Sequence, residues 1–272
     1  MSARGTMSVA AVECLKIASQ LKARLLLAAC VAGPVVCAAV IHVQSAVPAD
    51  TLFGRAARDS GFALALLILG FAGLWVLPVL ASVVAGDVFA ADDRYGTWKT
   101  ILTRSRNRAD VFGGKVLAAA AFALVAIAAL AASSVSAGVL LIGSQPLIDV
   151  SGVLRPWPEA FSRVALAWLS IVPPTLALTS VAVLLSIVTR SSAAGIGLPV
   201  LAALTMQLAT LVDGPETLRR LLITSAFAAW HGLLAEPQYY RPLVDAAIVS
   251  AAYVVVCLSV GYGVMRKRDI GG

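Results

Sequence analysis

The chain has 272 residues, of which 60% are hydrophobic and 13% are charged. Soluble domains average about 45 to 50% apolar and about 25% charged residues, so this balance excludes an ordinary water-soluble globular protein. The formal net charge of +7 is typical of basic residues distributed unevenly across a membrane, and no basic tract with interleaved aromatics indicates nucleic-acid binding.

The N-terminal residues carry the pattern of an amphipathic helix. Polar and charged residues recur at intervals of three or four at Glu13, Lys16, Gln20 and Arg24, opposite an apolar face. The pattern predicts a helix over 8–24 that lies in the cytoplasmic interface of the membrane. Such a helix serves either as an anchor for the first membrane span or as a docking element for a partner.

Six uncharged stretches follow in chain order, and each is long enough to span the membrane. About 20 apolar residues, at about 1.5 Å each, cross a hydrocarbon core of about 30 Å, and a spanning segment must satisfy its own backbone hydrogen bonds. We therefore predict an all-α integral membrane fold with a single transmembrane domain over 1–272. The predicted spans are 25–49, 60–86, 116–148, 164–189, 191–212 and 246–265.

Two local features modify this plan. Pro78 and the pair Pro173-Pro174 should bend spans two and four, because each proline removes a backbone donor. The seventh uncharged stretch, 221–235, is too short to cross the membrane. We predict that 213–237 forms a re-entrant hairpin on the extracellular side, before the last span.

The basic residues predict the orientation of the chain. The segments 1–24, 86–115, 190 and 266–272 hold 14 Lys and Arg, whereas the other three loops hold 7. Because basic residues accumulate on the cytoplasmic side, both termini are predicted to be cytoplasmic.

The predicted spans lack the residues that several membrane functions require. None contains Asp, Glu, Lys or Arg, which disfavours an ion-coupled transporter because such proteins bind the ion or relay the proton at membrane depth. No phosphate-binding loop, intramembrane Ser/His or Asp pair, zinc motif or metal-ligand spacing of Cys and His is present. We expect a non-catalytic chain whose work is powered by another polypeptide.

The loop between spans two and three, 87–115, is the most informative segment. It holds six Lys and Arg and four Asp. Trp98, Ile101 and Leu102 recur at helical spacing, as in a short amphipathic helix that lies on the membrane or inserts into a partner. Gly96 should end the preceding helix and Thr97 should cap the next one. A solvated positive-inside loop is the alternative interpretation.

This loop resembles that of the permease subunits of ABC-2 type exporters. Their pattern is an acidic residue, Gly-Thr-Leu, an apolar run, Ser-x-Pro-x-Ser-Arg and a Gly-Lys that opens the third span. The pattern is matched by Asp92, Gly96-Thr97, Ile101-Leu102-Thr103, Arg108 and Gly114-Lys115. The chain departs from it at Trp98, Ser105 and Asn107. Six spans, an amphipathic N-terminal helix and a short apolar segment before the last span resemble the same family.

The resemblance implies a permease in a bacterial inner membrane that exports a hydrophobic or amphipathic substrate. Its partners would be the lipid bilayer, a second permease, identical or related, and two ATP-binding cassette subunits that hold ATP and Mg, with no cofactor in this chain. The implied ATPase-coupling residues are Asp92, Gly96, Thr97, Trp98, Ile101, Leu102, Arg106 and Arg108. The implied pathway residues, in spans two and five, are Phe71, Trp75, Thr205, Met206 and Gln207. The alternatives are an ion-coupled secondary transporter and a membrane sensor or scaffold without an ATPase partner.

Overall fold

The computed structural model describes residues 3–44, 53–96, 107–210 and 215–267 and is 82% helical. Six helices among these residues are long and apolar enough to cross a membrane, which confirms the predicted number of spans. The chain is therefore a multi-pass membrane protein. Spans one to six are Leu21–Val43, Gly61–Arg94, Arg108–Leu141, Trp157–Thr189, Ser192–Ala209 and Arg241–Lys267.

Span two is built from several helical pieces, and a proline accounts for the interruption of its hydrogen-bond ladder at the π-helix. Pro78 has no N–H to donate to the preceding turn, and the Leu77 N–H just before it bonds five residues back, to the Ala72 carbonyl. The preceding turn is a π-helix, so the distortion predicted at Pro78 lies just before it. The pieces are Gly61–Phe71, the π-helix Ala72–Val76, Leu77–Ala85 and Ala90–Arg94.

Span four is interrupted at Ile171, as the proline pair predicted. It consists of Trp157–Ser170 and Val172–Thr189, and the two prolines stand in the first turn of the second helix. Pro is tolerated there because the first N–H groups of a helix have no intrahelical acceptor. The ladder resumes where the Thr175 N–H donates to the Ile171 carbonyl at 3.2 Å.

The predicted re-entrant region folds as short helices, none of them long enough to cross. We call residues 223–234 the short segment. Its large buried residues are Ile223, Phe227, Trp230, Leu233 and Leu234. The Phe227 side chain packs against Gly73 in the π-helix of span two. The helices of this region are Glu216–Leu221, Ile223–Ala226 and the 3₁₀ turn Ala229–Leu234.

Hydrogen bonds divide the molecule into two ends. At the terminal end, Thr6 donates to Asp110 at 3.0 Å and Arg108 donates to the Arg266 carbonyl at 2.9 Å. The N-terminal helix, the start of span three and the end of span six therefore lie together. At the far end, Ser60 Oγ donates to the Gln145 carbonyl at 2.9 Å, which joins the loops that follow spans one and three. The far end also carries a 3₁₀ turn, Ala56–Arg58, and an antiparallel hairpin of Leu147–Ile148 with Leu154–Arg155.

Glycine pairs fix span two between its neighbours. A Cβ on Gly61 would lie 2.3 Å from the carbonyl oxygen of Gly138 in span three, at the far end. A Cβ on Gly195 in span five would lie 2.3 Å from the carbonyl oxygen of Gly86, at the terminal end. Small residues let membrane helices approach this closely. Span two thus contacts a different span at each end.

The N-terminal helix differs from its predicted bounds. It runs from Ala3 to Ser19 and ends before Gln20, so Arg24 belongs to span one instead of to the amphipathic helix predicted over 8–24. Within one apolar 18-residue stretch of each span, 61% of the residues of spans two and four are buried inside the chain, against 22%, 17% and 17% for spans one, five and six. The three outer spans therefore offer their apolar faces to lipid or to another polypeptide.

Candidate functional site

Two aromatic side chains stand out on the surface of span two. Phe71 directly precedes the π-helix and Trp75 lies within it, and they are 51% and 49% exposed. Residues four apart share one face of a helix, and π-helical turns are frequent at functional sites. The structure therefore brings together the two span-two residues of the predicted pathway.

Phe71 lines two apolar cavities at the far end of the molecule. One, of about 430 Å³, lies between spans one and two, with Pro34, Cys37 and Ile41 on the opposite wall. The other, of about 320 Å³, lies between span two and the short segment, whose Trp230 lines it. A side chain common to two neighbouring apolar cavities is well placed to contact a hydrophobic solute.

The predicted pathway residues of span five do not join Phe71 and Trp75 in the described contacts. The Thr205 hydroxyl donates to the carbonyls of Leu201 and Ala202 at 2.9 Å, so it bonds within its own helix. Met206 is partly buried against the main core, and Gln207 is also half-buried. Neither the hydrogen bonds nor the cavities of the described residues join these three side chains to Phe71 or Trp75.

A buried lysine organises the terminal end. Lys115, 1% exposed, opens the membrane part of span three, and its ammonium contacts Asp92 at 2.5 Å and Glu13 at 3.1 Å. It also donates to the Val88 carbonyl at 3.0 Å. An ammonium has three N–H donors, and here it has three acceptors, two from the end of span two and one from the N-terminal helix. We call Glu13, Asp92 and Lys115 the buried triad.

Further polar contacts extend the triad. Lys22 of span one pairs with Asp87 at the end of span two. Ser186 Oγ of span four accepts the backbone N–H groups of Phe89 and Ala90 at 3.2 and 3.0 Å. Because isolated charges are costly at membrane depth, such pairing explains how these groups stay buried at the end of the bundle.

Glu13 also binds a second, exposed lysine. Lys16 lies on the same helix, is 48% exposed and reaches Glu13 at 2.8 Å. Partial burial of Lys16 acts to lower its pKa, but the hydrogen bond and the charge of Glu13 outweigh this effect and the pKa is raised. Glu13 therefore joins one exposed and one buried cation.

Sequence reasoning missed the triad because it assigned Glu13 to a solvent-facing polar surface. In the structure Glu13 is 7% exposed and faces span three, whereas Val12 and Leu15 are 53% and 72% exposed. The apolar side of the N-terminal helix is thus free to face lipid, and its acidic residue pairs with Lys115. The sequence did contain a signal for this pairing. Lys115 lies at the boundary of span three, at a depth close to that of Asp92, which ends span two.

Three of the predicted coupling residues lie in the described part of the chain. Asp92 belongs to the triad, and Gly96 adopts a φ of +64° where the helix Ala90–Arg94 ends, as its glycine predicted. Arg108 donates to the carbonyls of Met265 and Arg266 at the end of span six. The remaining residues, Thr97, Trp98, Ile101, Leu102 and Arg106, lie outside the described residues.

An ion cluster at the far end attaches the hairpin to the region after the short segment. Arg155 pairs with Asp149 at 3.0 Å, with Glu159 at 3.4 Å and with Glu236. Hydrogen bonds to Glu236 and Asp149 raise the pKa of this guanidinium. Ser151 Oγ accepts the Glu236 N–H at 2.8 Å, so the same two loops are also joined through the backbone.

The described residues contain no group of three or more His, Cys, Asp and Glu suited to a metal ion, and the four cysteines form no disulfide. The described site therefore combines apolar contact beside Phe71 with paired charge around Lys115.

Comparison with known proteins supplies a family. A search of curated proteins found no match to the chain. The family described as "Protein of unknown function (DUF2705)" matches residues 35–271, from the middle of span one almost to the C-terminus. Because the match covers most of the chain, this protein belongs to the DUF2705 family.

Proposed function

We propose that this protein is the permease subunit of an ABC-2 type, ATP-driven exporter. In this proposal it pairs with a second permease and with two separate ATP-hydrolysing subunits, and it forms the pathway for a hydrophobic or amphipathic substrate. The termini and the loop 87–115 are cytoplasmic, and the far end is extracellular.

The observation that carries the proposal is the bracing of the loop between spans two and three. At its first end, Asp92 is held by Lys115 and, through that lysine, by Glu13 of the N-terminal helix. At its second end, Arg108 is bonded to the carbonyl end of span six. A loop that transmits force from an ATPase needs such attachment, because a slack connector would absorb the movement.

The apolar cavities beside Phe71 support the substrate class. Their walls are hydrophobic and aromatic, and the membrane-depth part of the spans contains no ionisable residue that could couple transport to an ion. A solute moved along these walls would gain from leaving water, and the driving force would come from ATP on the partner subunits.

Contacts of the short segment support its re-entry into the outer half of the membrane. Phe227 touches Gly73, which lies 12 residues along span two from Gly61, or about 18 Å at about 1.5 Å per residue. Tyr253 also lies 12 residues into its span, counted from Arg241 at the start of span six. Its hydroxyl donates a hydrogen bond to the Leu221 carbonyl, just before the short segment, at 3.3 Å. Irregular backbone at this depth is tolerated where protein surrounds it, as it does here.

Co-purification tests the proposal. The tagged chain, extracted from its native membrane in mild detergent, should carry an ATPase, and substrate should stimulate its activity. Trp98→Ala should weaken this assembly by on the order of tenfold or more, as expected for an aromatic anchor at an interface. Trp157→Ala makes the same change at the far end and should leave the assembly intact.

Two outcomes would contradict the proposal. If no ATPase accompanies the chain, a secondary transporter or a scaffold becomes the better interpretation. If the ATPase is present but Trp98→Ala, folded and inserted, retains full binding and stimulation, the loop is a solvated connector and the coupling assignment fails.

A further inference from the structure

Another cavity lies at the terminal end, away from Phe71 and from the loop. It has a volume of about 220 Å³ and is formed where the N-terminal helix, span one and span three meet. Its lining is apolar except at its mouth, where Arg24 stands. The apolar walls include Ile17, Leu27, Phe122 and Val125.

The guanidinium of Arg24 is fixed at this mouth. Its Nε–H donates to the Ala18 carbonyl at 2.7 Å, across the break between the N-terminal helix and span one. In the described part of the chain its two Nη groups donate to no acceptor and face no carboxylate. By contrast, Lys16 pairs with Glu13 and Lys22 pairs with Asp87. Arg24 is thus an oriented cation with four free N–H donors beside an apolar cavity.

The surroundings place this cavity at the membrane surface. Leu15, Leu21 and Leu25, which are close in the chain to the lining residues Cys14 and Arg24, are 72%, 69% and 59% exposed and are suited to contact lipid. From Ala118 to Val125 the cavity follows span three for about 10 Å, at about 1.5 Å per residue. Its polar mouth and apolar depth therefore match the order of a phospholipid, with the headgroup outermost.

We propose that this cavity binds an anionic phospholipid of the leaflet on the side of the termini. The phosphate accepts hydrogen bonds from the Nη groups of Arg24, and the first part of an acyl chain fills the space between Leu27, Phe122 and Val125. Guanidinium groups suit phosphate because they present parallel N–H donors. Bound lipid would hold the N-terminal helix against spans one and three. This inference does not rest on the exporter proposal.

The test uses the delipidated full-length protein in a neutral detergent. Native mass spectrometry measures the affinity for phosphatidylglycerol, for phosphatidylcholine and for glycerol phosphate. The wild type should prefer phosphatidylglycerol by about fivefold or more, which is the contribution expected from one basic residue near an anionic headgroup. Glycerol phosphate at the same concentration should not displace phosphatidylglycerol, because glycerol phosphate lacks an acyl chain.

Variants distinguish the contact with the lipid headgroup from the contact with the acyl chain. Arg24→Ala should remove the preference, whereas Arg4→Ala, which deletes an equal charge from the exposed surface of the N-terminal helix, should keep it. Arg24→Lys retains the charge without the Nε–H bond to Ala18 and should keep part of the preference, which guards against simple loss of structure. Ala121→Phe fills the cavity but leaves Arg24 in place, and it should lower the affinity for both phosphatidylglycerol and phosphatidylcholine.

Other results would overturn the assignment. If Arg24→Ala binds phosphatidylglycerol with an affinity within twofold of that of the wild type, Arg24 does not contact the phosphate. An equal loss in Arg4→Ala would indicate attraction by surface charge alone. Full displacement by glycerol phosphate would indicate a site for a free anion, and unchanged lipid affinity in Ala121→Phe would remove the acyl chain from the cavity.

Discussion

Replacing Lys115 by Met should be among the most damaging single changes in this chain. The substitution keeps the length and apolar stem of the side chain but removes the ammonium that contacts Glu13 and Asp92. Both carboxylates have side chains only 9% exposed, so neither gains much water in exchange. Removing one member of a buried ion pair costs about 3 to 5 kcal/mol. Here Asp92 loses its contact with the ammonium, and Glu13 keeps its contact with the exposed Lys16.

Lys16→Met is the matched control. Lys16 pairs with the same Glu13 at 2.8 Å, but its side chain is 48% exposed. An exposed ion pair of this kind contributes about 0 to 1 kcal/mol, because water and salt replace it easily. Each variant deletes a lysine that contacts Glu13, so the difference between them measures what the burial of Lys115 and its added contact with Asp92 contribute.

Equilibrium unfolding in mixed micelles with increasing SDS gives the free energy of unfolding for each variant. We expect Lys115→Met to lose at least about 2 kcal/mol more than Lys16→Met. Adding Asp92→Asn to Lys115→Met should restore part of the loss, because one buried carboxylate becomes neutral. A loss for Lys115→Met within about 1 kcal/mol of the control would show that the triad is hydrated and would refute this reasoning.

Three further predictions follow from the spans and their contacts. In a cysteine-free background, Ser105→Cys should resist an impermeant thiol reagent in intact cells and Ser151→Cys should react; the reverse pattern would invert the orientation. Gly195→Ala should cost about 1 to 3 kcal/mol of unfolding free energy, because the new Cβ meets the Gly86 carbonyl. Gly197→Ala, with open space around it, should be neutral, and equal effects of the two changes would exclude the close approach of spans two and five. Phe71→Ala and Trp75→Ala should reduce transport severalfold while Val256→Ala, on an exposed face of span six, should not; unchanged transport would remove both aromatics from the pathway.

The membrane fold was predictable because the bilayer reduces it to a count of apolar residues. A run without charges must be helical and must be long enough, and both properties can be read locally. Pro78 and the pair Pro173-Pro174 also act locally, since each removes a donor from the turn before it, and the interruptions occur where these residues stand.

Which face of a helix is buried could not be predicted by the same means. The polar face of the N-terminal helix was expected to meet water, but a charged side chain is equally satisfied by an opposite charge on another helix. Glu13 and Lys115 are 102 positions apart, and only the packing of the N-terminal helix on span three brings them together. The span-five residues Thr205, Met206 and Gln207 show the same limit, because their periodicity does not specify which neighbour they face.

The buried triad also restricts how the terminal end can move. Asp92 stands at the start of the loop between spans two and three, Glu13 stands on the N-terminal helix, and both bind the one ammonium of Lys115. Moving the loop away from span three would separate the buried Asp92 from the buried Lys115, at a cost of several kcal/mol. Movement of the loop together with the N-terminal helix and the start of span three keeps the three members of the triad in contact. Force applied to this loop at Asp92 should therefore be passed to span three and to the N-terminal helix through the triad.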